Sequence, residues 1–402
     1  MTAQPASVIV VSRHRTEALK RCVAALTQQD HAQFELIVVA DPAAIAAVRS
    51  LDLPLKLIAF DEANISAARN LGLSQAAAAV VAFIDDDAVA EPTWLSRLTA
   101  AFADPQVVAA TGFVRGRNGI SYQWQACEVD ALGQDHPLAI ARDSLHQGTP
   151  QRAVKTQGTN CAFRRDALLA VGGFDPGYRF FLDEADVNLR MAHLGPTAII
   201  PDAQVHHGFE ASARRAANRV PLSLYDIAAS TAIFLRRHAP MADLDQALKA
   251  LSLREAARIA GHRRAGRLDA QAETALLISL AQGWRDGLAR PLAPLAPLPV
   301  PTAPLLPLPS GPRPGQVLAG RIWQKRRLIA QAAAAKGLIT TVIVLSATAR
   351  PHRHSFQPEG FWLQTGGLFG PSDRQGPRLR LTSFRRRIAE EAARLAPCRP
   401  IA

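Results

Sequence analysis

The chain has 402 residues, 48% of them hydrophobic, enough for two or three domains with substantial cores. Its longest uninterrupted apolar run, Ala76 to Ile84, has nine residues, about half of what a bilayer-crossing helix needs, which argues against an integral membrane protein. The net charge of +12 sits in the tail: residues 301–402 hold 16 Lys or Arg against 4 Asp or Glu, while the first 300 balance 30 against 30. That asymmetry points the tail at an anionic surface and says nothing about the chemistry upstream.

Met1 runs almost directly into the strand-like Val8–Val11, with no signal-peptide pattern, and the four scattered cysteines form no Cys-x-x-Cys pair. The expectation is a cytoplasmic protein, at most peripheral at the inner face of the membrane. Apolar runs at Val8–Val11, Phe34–Val39, Leu55–Phe60 and Val80–Ile84 alternate with helical patterns at Thr16–Gln28 and Ala67–Ala79. Short continuous apolar runs with helical crossovers suit a parallel sheet buried on both faces, so the fold class is α/β. Neither GxGxxG nor a P-loop follows the first strand, which removes most of the weight from dinucleotide and P-loop readings.

From Pro221 to Ala289 the pattern is helical, with Leu224, Ile227, Ala228, Thr231, Phe234 and Leu235 on one apolar face. Ten of the 24 residues from 291 to 314 are proline, which predicts an extended linker able to hold its flanks up to roughly 70 Å apart. The expected domains are therefore 1–215 for catalysis, a helical extension at 216–290, a Pro-rich linker at 291–314 and a small basic module at 315–402. In that module Arg321–Lys336 reads as a basic helix and Leu338–Leu345 as a strand. Phe384, Ile388, Ala392 and Leu395 form an apolar stripe beside Arg385–Arg387, which suits either an interfacial helix at anionic lipid or a helix packed on its own module. Nucleic acid has no motif support as a partner.

Three carboxylates, Asp85-Asp86-Asp87, stand where a buried strand ends. Three adjacent like charges need compensation by a cation or ligand if buried, and hard divalent metals take such oxygens, although a solvated turn uses the same residues. Asp183-Glu184-x-Asp186 reads as an acidic helix start with Asp183 as N-cap, and His206-His207 follow a strand-like segment. Each is an ordinary feature by itself.

Taken in order, these segments resemble the family 2 inverting glycosyltransferases with a GT-A fold, over roughly residues 6–210. The resemblance also rests on Ser12-Arg13-His14-Arg15, Asn64–Gly72, Pro92-x-Trp94-Leu95, Gly158-Thr159-Asn160 and Gly172-Gly173-Phe174-Asp175. It implies a GT-A type Rossmann-like mixed sheet flanked by helices, and a divalent metal, Mn²⁺ or Mg²⁺, held by Asp87, Asp85 and His207, or by His206 if the register slips by one. It further implies Glu184 as catalytic base beside Asp183 and Asp186. Ser12, Arg13, Arg15, Asp41, Arg69, Asn70, Asp85 and Asp86 would bind a nucleotide-sugar donor, and Gly158, Thr159 and Asn160 would line the acceptor pocket. The acceptor would be a hydroxyl of a cell-envelope glycan or lipid-linked molecule. One departure stands out: Ala40 occupies the place where the family commonly has a base-contacting Asp, and Asp41 comes one residue later. A degenerate binding scaffold and, more remotely, a nucleotidyltransferase are the competing readings.

Overall fold

The computed structural model describes residues 4–208, 210–211, 214–216 and 218–401. The first part of the chain places β1 (Ala6–Val11), α1 (Thr16–Leu26), β2 (Phe34–Ala40), α2 (Pro42–Arg49), β3 (Lys56–Ala59), α3 (Ile65–Leu73), β4 (Val80–Asp85), β5 (Ala88–Ala90), α4 (Trp94–Ala100) and β6 (Ala109–Arg115). Short strands follow: β7 (Tyr122–Trp124), β8 (Cys127–Asp130), β9 (Asp135–Pro137), β10 (Ser144–His146), β11 (Arg152–Val154) and β12 (Cys161–Arg164). The unit closes with α5 (Arg165–Ala170), α6 (Asp183–Met191) and the long β13 (Thr197–His207).

Strands β3-β2-β1-β4 are parallel, and the sheet continues β4-β12-β6-β13-β10 with antiparallel pairing at β4–β12, β12–β6 and β13–β10. β13 runs parallel to β6 and also carries β5. The result is the mixed sheet flanked by helices that the resemblance implied. β1, β2 and β4 are buried almost throughout, which is why their sequences are continuous apolar runs, whereas the edge strand β3 is half-buried. Because β1, β2 and β4 run in parallel, Ser12, Asp41 and Asp85 leave the sheet at one end, where open α/β sheets bind ligands.

One helix is shorter than its pattern. The alanine run after Leu73 leaves the helix because the Ala77 N–H is taken by Glu35 Oε1 at 2.8 Å and the Ala78 N–H by Ser7 Oγ at 3.0 Å. Two buried strand side chains thus outbid helix propensity and draw the chain extended into β4.

The helical extension consists of α7 (Tyr225–His238), α8 (Leu244–Arg264) and α9 (Ala270–Ala289). α7 buries residues on two sides: Leu224, Ala228, Ala232 and Leu235 pack with Leu251, Leu276 and Trp284, while Ile233 and Phe234 pack with Tyr178, Leu182 and Ala185 around α6. α7 and α9 lie close because α9 presents Gly283 and Gly287; a Cβ at either would fall 2.0 Å from Tyr225 O or 2.4 Å from Ala229 O.

The proline-rich segment departs from the spacer expectation. It runs along the first unit as a strap, with Leu308 buried in the main core and its N–H donating to Phe34 O. Leu298 N–H reaches Leu169 O, Leu306 N–H reaches Glu35 Oε2, and Ser310 Oγ donates to His31 O. Its leucines find apolar seats on the folded unit, so extension in space is replaced by adhesion.

The last part forms β14 (Gly315–Arg321), α10 (Lys325–Ala334), β15 (Ile339–Ser346), β16 (Arg353–Phe356), β17 (Trp362–Gly367) and α11 (Phe384–Leu395), with sheet order β14-β15-β17-β16. β14, β15 and β17 are parallel, and β16 is antiparallel to β17. The stripe on α11 turns inward: Phe384 and Ile388 pack with Ile343, Leu345 and Leu368, and Leu395 is buried. That helix is therefore not an interfacial one. No helix among the described residues is long and apolar enough to cross a membrane.

Candidate active site

The carboxylates at the end of β4 point in different directions and have different partners. Asp86 is fully buried, accepts from Ser12 Oγ at 2.6 Å and has Arg15 Nη2 2.5 Å from Oδ1. Burial pushes its carboxyl up to about 7 despite the Arg15 charge. It anchors the loop after β1 rather than facing a ligand. Asp87 has Arg15 Nη1 at 3.3 Å, His207 Nε2 at 3.3 Å and the Glu210 N–H at 2.9 Å. Burial opposes its ionisation, but those partners hold the carboxyl well below the usual range.

Asp85, Asp87 and His207 bring one potential ligand atom each to within 4.8 Å of one another. Two carboxylate oxygens and an imidazole nitrogen suit a divalent cation such as Mn²⁺ or Mg²⁺. Gln123 Oε1 lies 3.2 Å from His207 Nδ1 and thereby aims Nε2 into the cluster, and Trp124 packs against the ring at 5.4 Å. His206, adjacent on β13, faces elsewhere: its Nε2 is 2.7 Å from Glu91 and its ring lies 4.9 Å from Trp362. Strand alternation therefore separates the two histidines, placing His207 with the carboxylates and His206 behind them.

Arg69 joins this cluster to the acidic helix. It is buried, pairs closely with Asp183, reaches Asp85 at 3.5 Å and donates to Gly158 O at 3.1 Å, with the Phe174 ring 5.1 Å from its guanidinium carbon. Asp183 is not the N-cap; that place belongs to Leu182, at φ +64°, preceded by Phe181 at φ +74°. Two successive bulky residues in the left-handed region cost of order 1–3 kcal/mol each, and they swing Asp183 and Glu184 into the same neighbourhood as Arg69. Burial and the Glu184 charge push the Asp183 carboxyl up, against the pull of Arg69. Glu184 also acts on Lys155 and Cys161, which line its surroundings.

Several expected site residues have partners within the scaffold. Asn70 gives both ends of its amide to the Phe174 backbone, at 2.7 and 2.9 Å. Asn160 is fully buried and satisfied by Trp94 Nε1, Phe113 O and Ala203 O, so it does not line an open acceptor pocket. Asp186 turns away from Glu184 to Arg190 Nη2 at 2.7 Å and His238 Nε2 at 2.9 Å, tying α6 to α7. Arg13 leaves the carboxylates for Asp61 at 2.8 Å. Asp41 caps α2 by accepting from Ala44 N–H and holds the loop by accepting from His14 N–H at 2.7 Å. Burial opposes ionisation of Asp41, but these N–H groups keep its carboxyl below the ordinary range. Gly158 contributes its carbonyl to Arg69, and Thr159 Oγ1 is buried without a hydrogen-bond partner.

Gln123 and Trp124 were not legible in the sequence, because β7 is three residues long and carries no motif. Arg215 was missed too; it feels the charges of Asp87, Arg219, Arg15 and Arg117. A basic pair after a candidate metal-ligating histidine, Arg214-Arg215, was the available signal.

Residues 7–172 match the model of the family described as glycosyl transferase family 2. Glucosyl-dolichyl phosphate glucuronosyltransferase of Haloferax volcanii is 29% identical over 176 residues, which are 42% of this chain and 54% of that protein. The chain thus spans about half the length of the curated relative it matches. Among solved structures, the mannosyltransferase PcManGT of Pyrobaculum calidifontis, in complex with GDP-Man and Mn²⁺, superposes with a TM-score of 0.43 at 18% identity, over 71% of this chain and 87% of that one. GalNAc-T7 with UDP, GalNAc and Mn²⁺ gives 0.41 at 16% identity, over 51% and 44%.

Proposed function

We propose that this protein is an inverting glycosyltransferase that moves a sugar from a nucleotide-sugar donor to a hydroxyl of a cell-envelope glycan or lipid-linked acceptor. The observation that carries this reading is the convergence of Asp85, Asp87 and His207 within 4.8 Å, joined through Arg69 to the helix bearing Glu184, in a chain whose residues 7–172 match the model of glycosyl transferase family 2.

In this reading Asp85, Asp87 and His207 hold a divalent cation, Mn²⁺ or Mg²⁺, which when bound neutralises charge developing on the departing diphosphate. Arg15 fixes Asp86 and Asp87 in place, and Ser12 closes the loop beneath the nucleotide. Arg69 keeps Asp183 and Asp85 in fixed relation across the site. Glu184 accepts the proton of the acceptor hydroxyl as that oxygen attacks the anomeric carbon from the face opposite the leaving group. Asp186 acts through the α6–α7 contact and is a positioning residue.

The test is incubation of the full chain with UDP-, GDP- and dTDP-sugars with Mn²⁺ or Mg²⁺, following nucleotide release and product mass. Metal-dependent release of a nucleoside diphosphate from one donor, abolished in Asp87→Ala, supports the assignment. Nucleoside monophosphate appearing in the product would indicate nucleotidyl transfer instead. Absence of turnover with retained glycan binding would leave a binding protein on a transferase scaffold.

A further inference from the structure

The basic C-terminal module carries its exposed apolar residues at one end. β14, β15 and β17 run in parallel, with Arg321 in register with Leu345 and Ser346 with Gly367, so all three strands finish at the same edge. Directly beyond Arg321 come Ile322, 49% exposed, and Trp323, 76% exposed. The segment before α11 reaches the same edge: Arg380 N–H donates to Phe369 O at 3.0 Å, just past β17, and the Phe384 ring lies 4.2 Å from the Arg321 guanidinium carbon. That segment exposes Leu379 by 62% and Leu381 by 84%. Side chains of this size cannot be covered by the module itself, since its two faces are already occupied by α10 and α11.

The charge around this edge is mainly positive. Lys325 and Arg326 open α10, Arg385 and Arg386 open α11, and the nearby acidic residue, Glu390, is engaged by Arg380 at 2.5 Å and Arg386 at 3.1 Å. Aromatic and aliphatic side chains rimmed by Lys and Arg match the chemistry of an anionic lipid surface, where the apolar groups enter the headgroup boundary and the cations meet phosphates. From this arrangement we infer that the strand-end edge of the module, with Trp323 and Leu381 at its tip, is a docking surface for an anionic lipid bilayer. The surface lies outside α11's buried stripe and is independent of the transferase chemistry.

The test is co-sedimentation of the full chain, without donor or metal, with vesicles of phosphatidylcholine alone and of phosphatidylcholine containing phosphatidylglycerol. Binding is expected only to the anionic vesicles, weakening about fivefold for each charge removed in Arg385→Ala and Arg386→Ala. Trp323→Ala with Leu381→Ser, both exposed and so neutral to folding by circular dichroism, should lower binding further. An acrylamide-quenching experiment should show Trp323 shielded by the vesicles, using Trp323→Phe as the reference. Failure to bind anionic vesicles overturns the inference, as does binding that the Trp323 and Leu381 variants leave unchanged. Self-association of the wild type through this edge in place of vesicle binding overturns it in favour of a second copy. Because no donor is present, neither result touches the catalytic reading.

Discussion

Arg399 and Glu91, 308 positions apart, form a buried bidentate pair, with Arg399 Nη2 2.7 Å from both Glu91 oxygens and Nε 3.0 Å from one. Glu91 follows β5, and it is also paired with His206 at 2.7 Å, while the Arg399 guanidinium lies 3.8 Å from the centre of the Trp362 ring. The terminal module thereby braces the strand that carries His207. Removing one member of a buried pair strands the other charge, so Arg399→Met should cost about 3–5 kcal/mol in urea unfolding. Arg399→Met combined with Glu91→Gln should recover a substantial part of that loss. A double mutant no more stable than the single would show that the pair is not the source.

The metal cluster and the acidic helix separate experimentally. Asp87→Ala or His207→Ala should abolish any Mn²⁺-dependent rise in melting temperature caused by nucleoside diphosphate, because a ligand stabilises only the state that binds it. Retention of that rise in both variants would remove Asp87 and His207 from metal binding.

Glu184→Gln and Asp186→Asn should behave differently although only Ala185 separates them. Loss of a general base lowers turnover by about 10²–10⁴-fold with the melting temperature preserved. Asp186→Asn instead strips the carboxylate from Arg190 and His238, and should lower stability by about 3 kcal/mol or more while leaving the acid limb of the turnover profile in place. Equal loss of turnover at unchanged stability in both would return Asp186 to the chemistry.

Acid should weaken the terminal module in a defined window. Burial opposes ionisation of Glu391, but Arg394, Ser372 and Gln364 hold its carboxyl down at about 2, against an ordinary value of 4.5. The unfolded chain therefore takes up the proton first, so the stabilisation is complete above about 4.5 and is lost as pH falls towards about 2. Asp183 has the opposite sign, because its raised pKa favours the folded state as pH falls. Comparison with Glu391→Gln isolates the first effect: urea midpoints measured from pH 7 to pH 3 should fall less steeply in that variant than in the wild type. Parallel slopes would show that Glu391 is not depressed.

The sequence by itself determined the strands β1, β2 and β4, since buried parallel strands need continuous apolar runs and those runs are local. It also determined that Asp85–Asp87 end a buried strand, that Asp183–Asp186 open a helix, and that positive charge is concentrated after residue 300. Choosing among like neighbours was left to tertiary structure. His206 and His207 are equivalent in a string of letters, and strand alternation on β13 sends one to Asp87 and the other to Glu91. Asp183 and Asp186 are told apart by what lies opposite, Arg69 from α3 for the first, Arg190 one helical turn away and His238 from α7 for the second. The proline-rich segment fixes its own backbone as extended, but whether it spans solvent or lies on the sheet depends on seats for residues such as Leu308, made by strands some 270 residues earlier. Local propensity sets backbone shape, whereas the partner of a charge or of an apolar side chain is set by long-range packing.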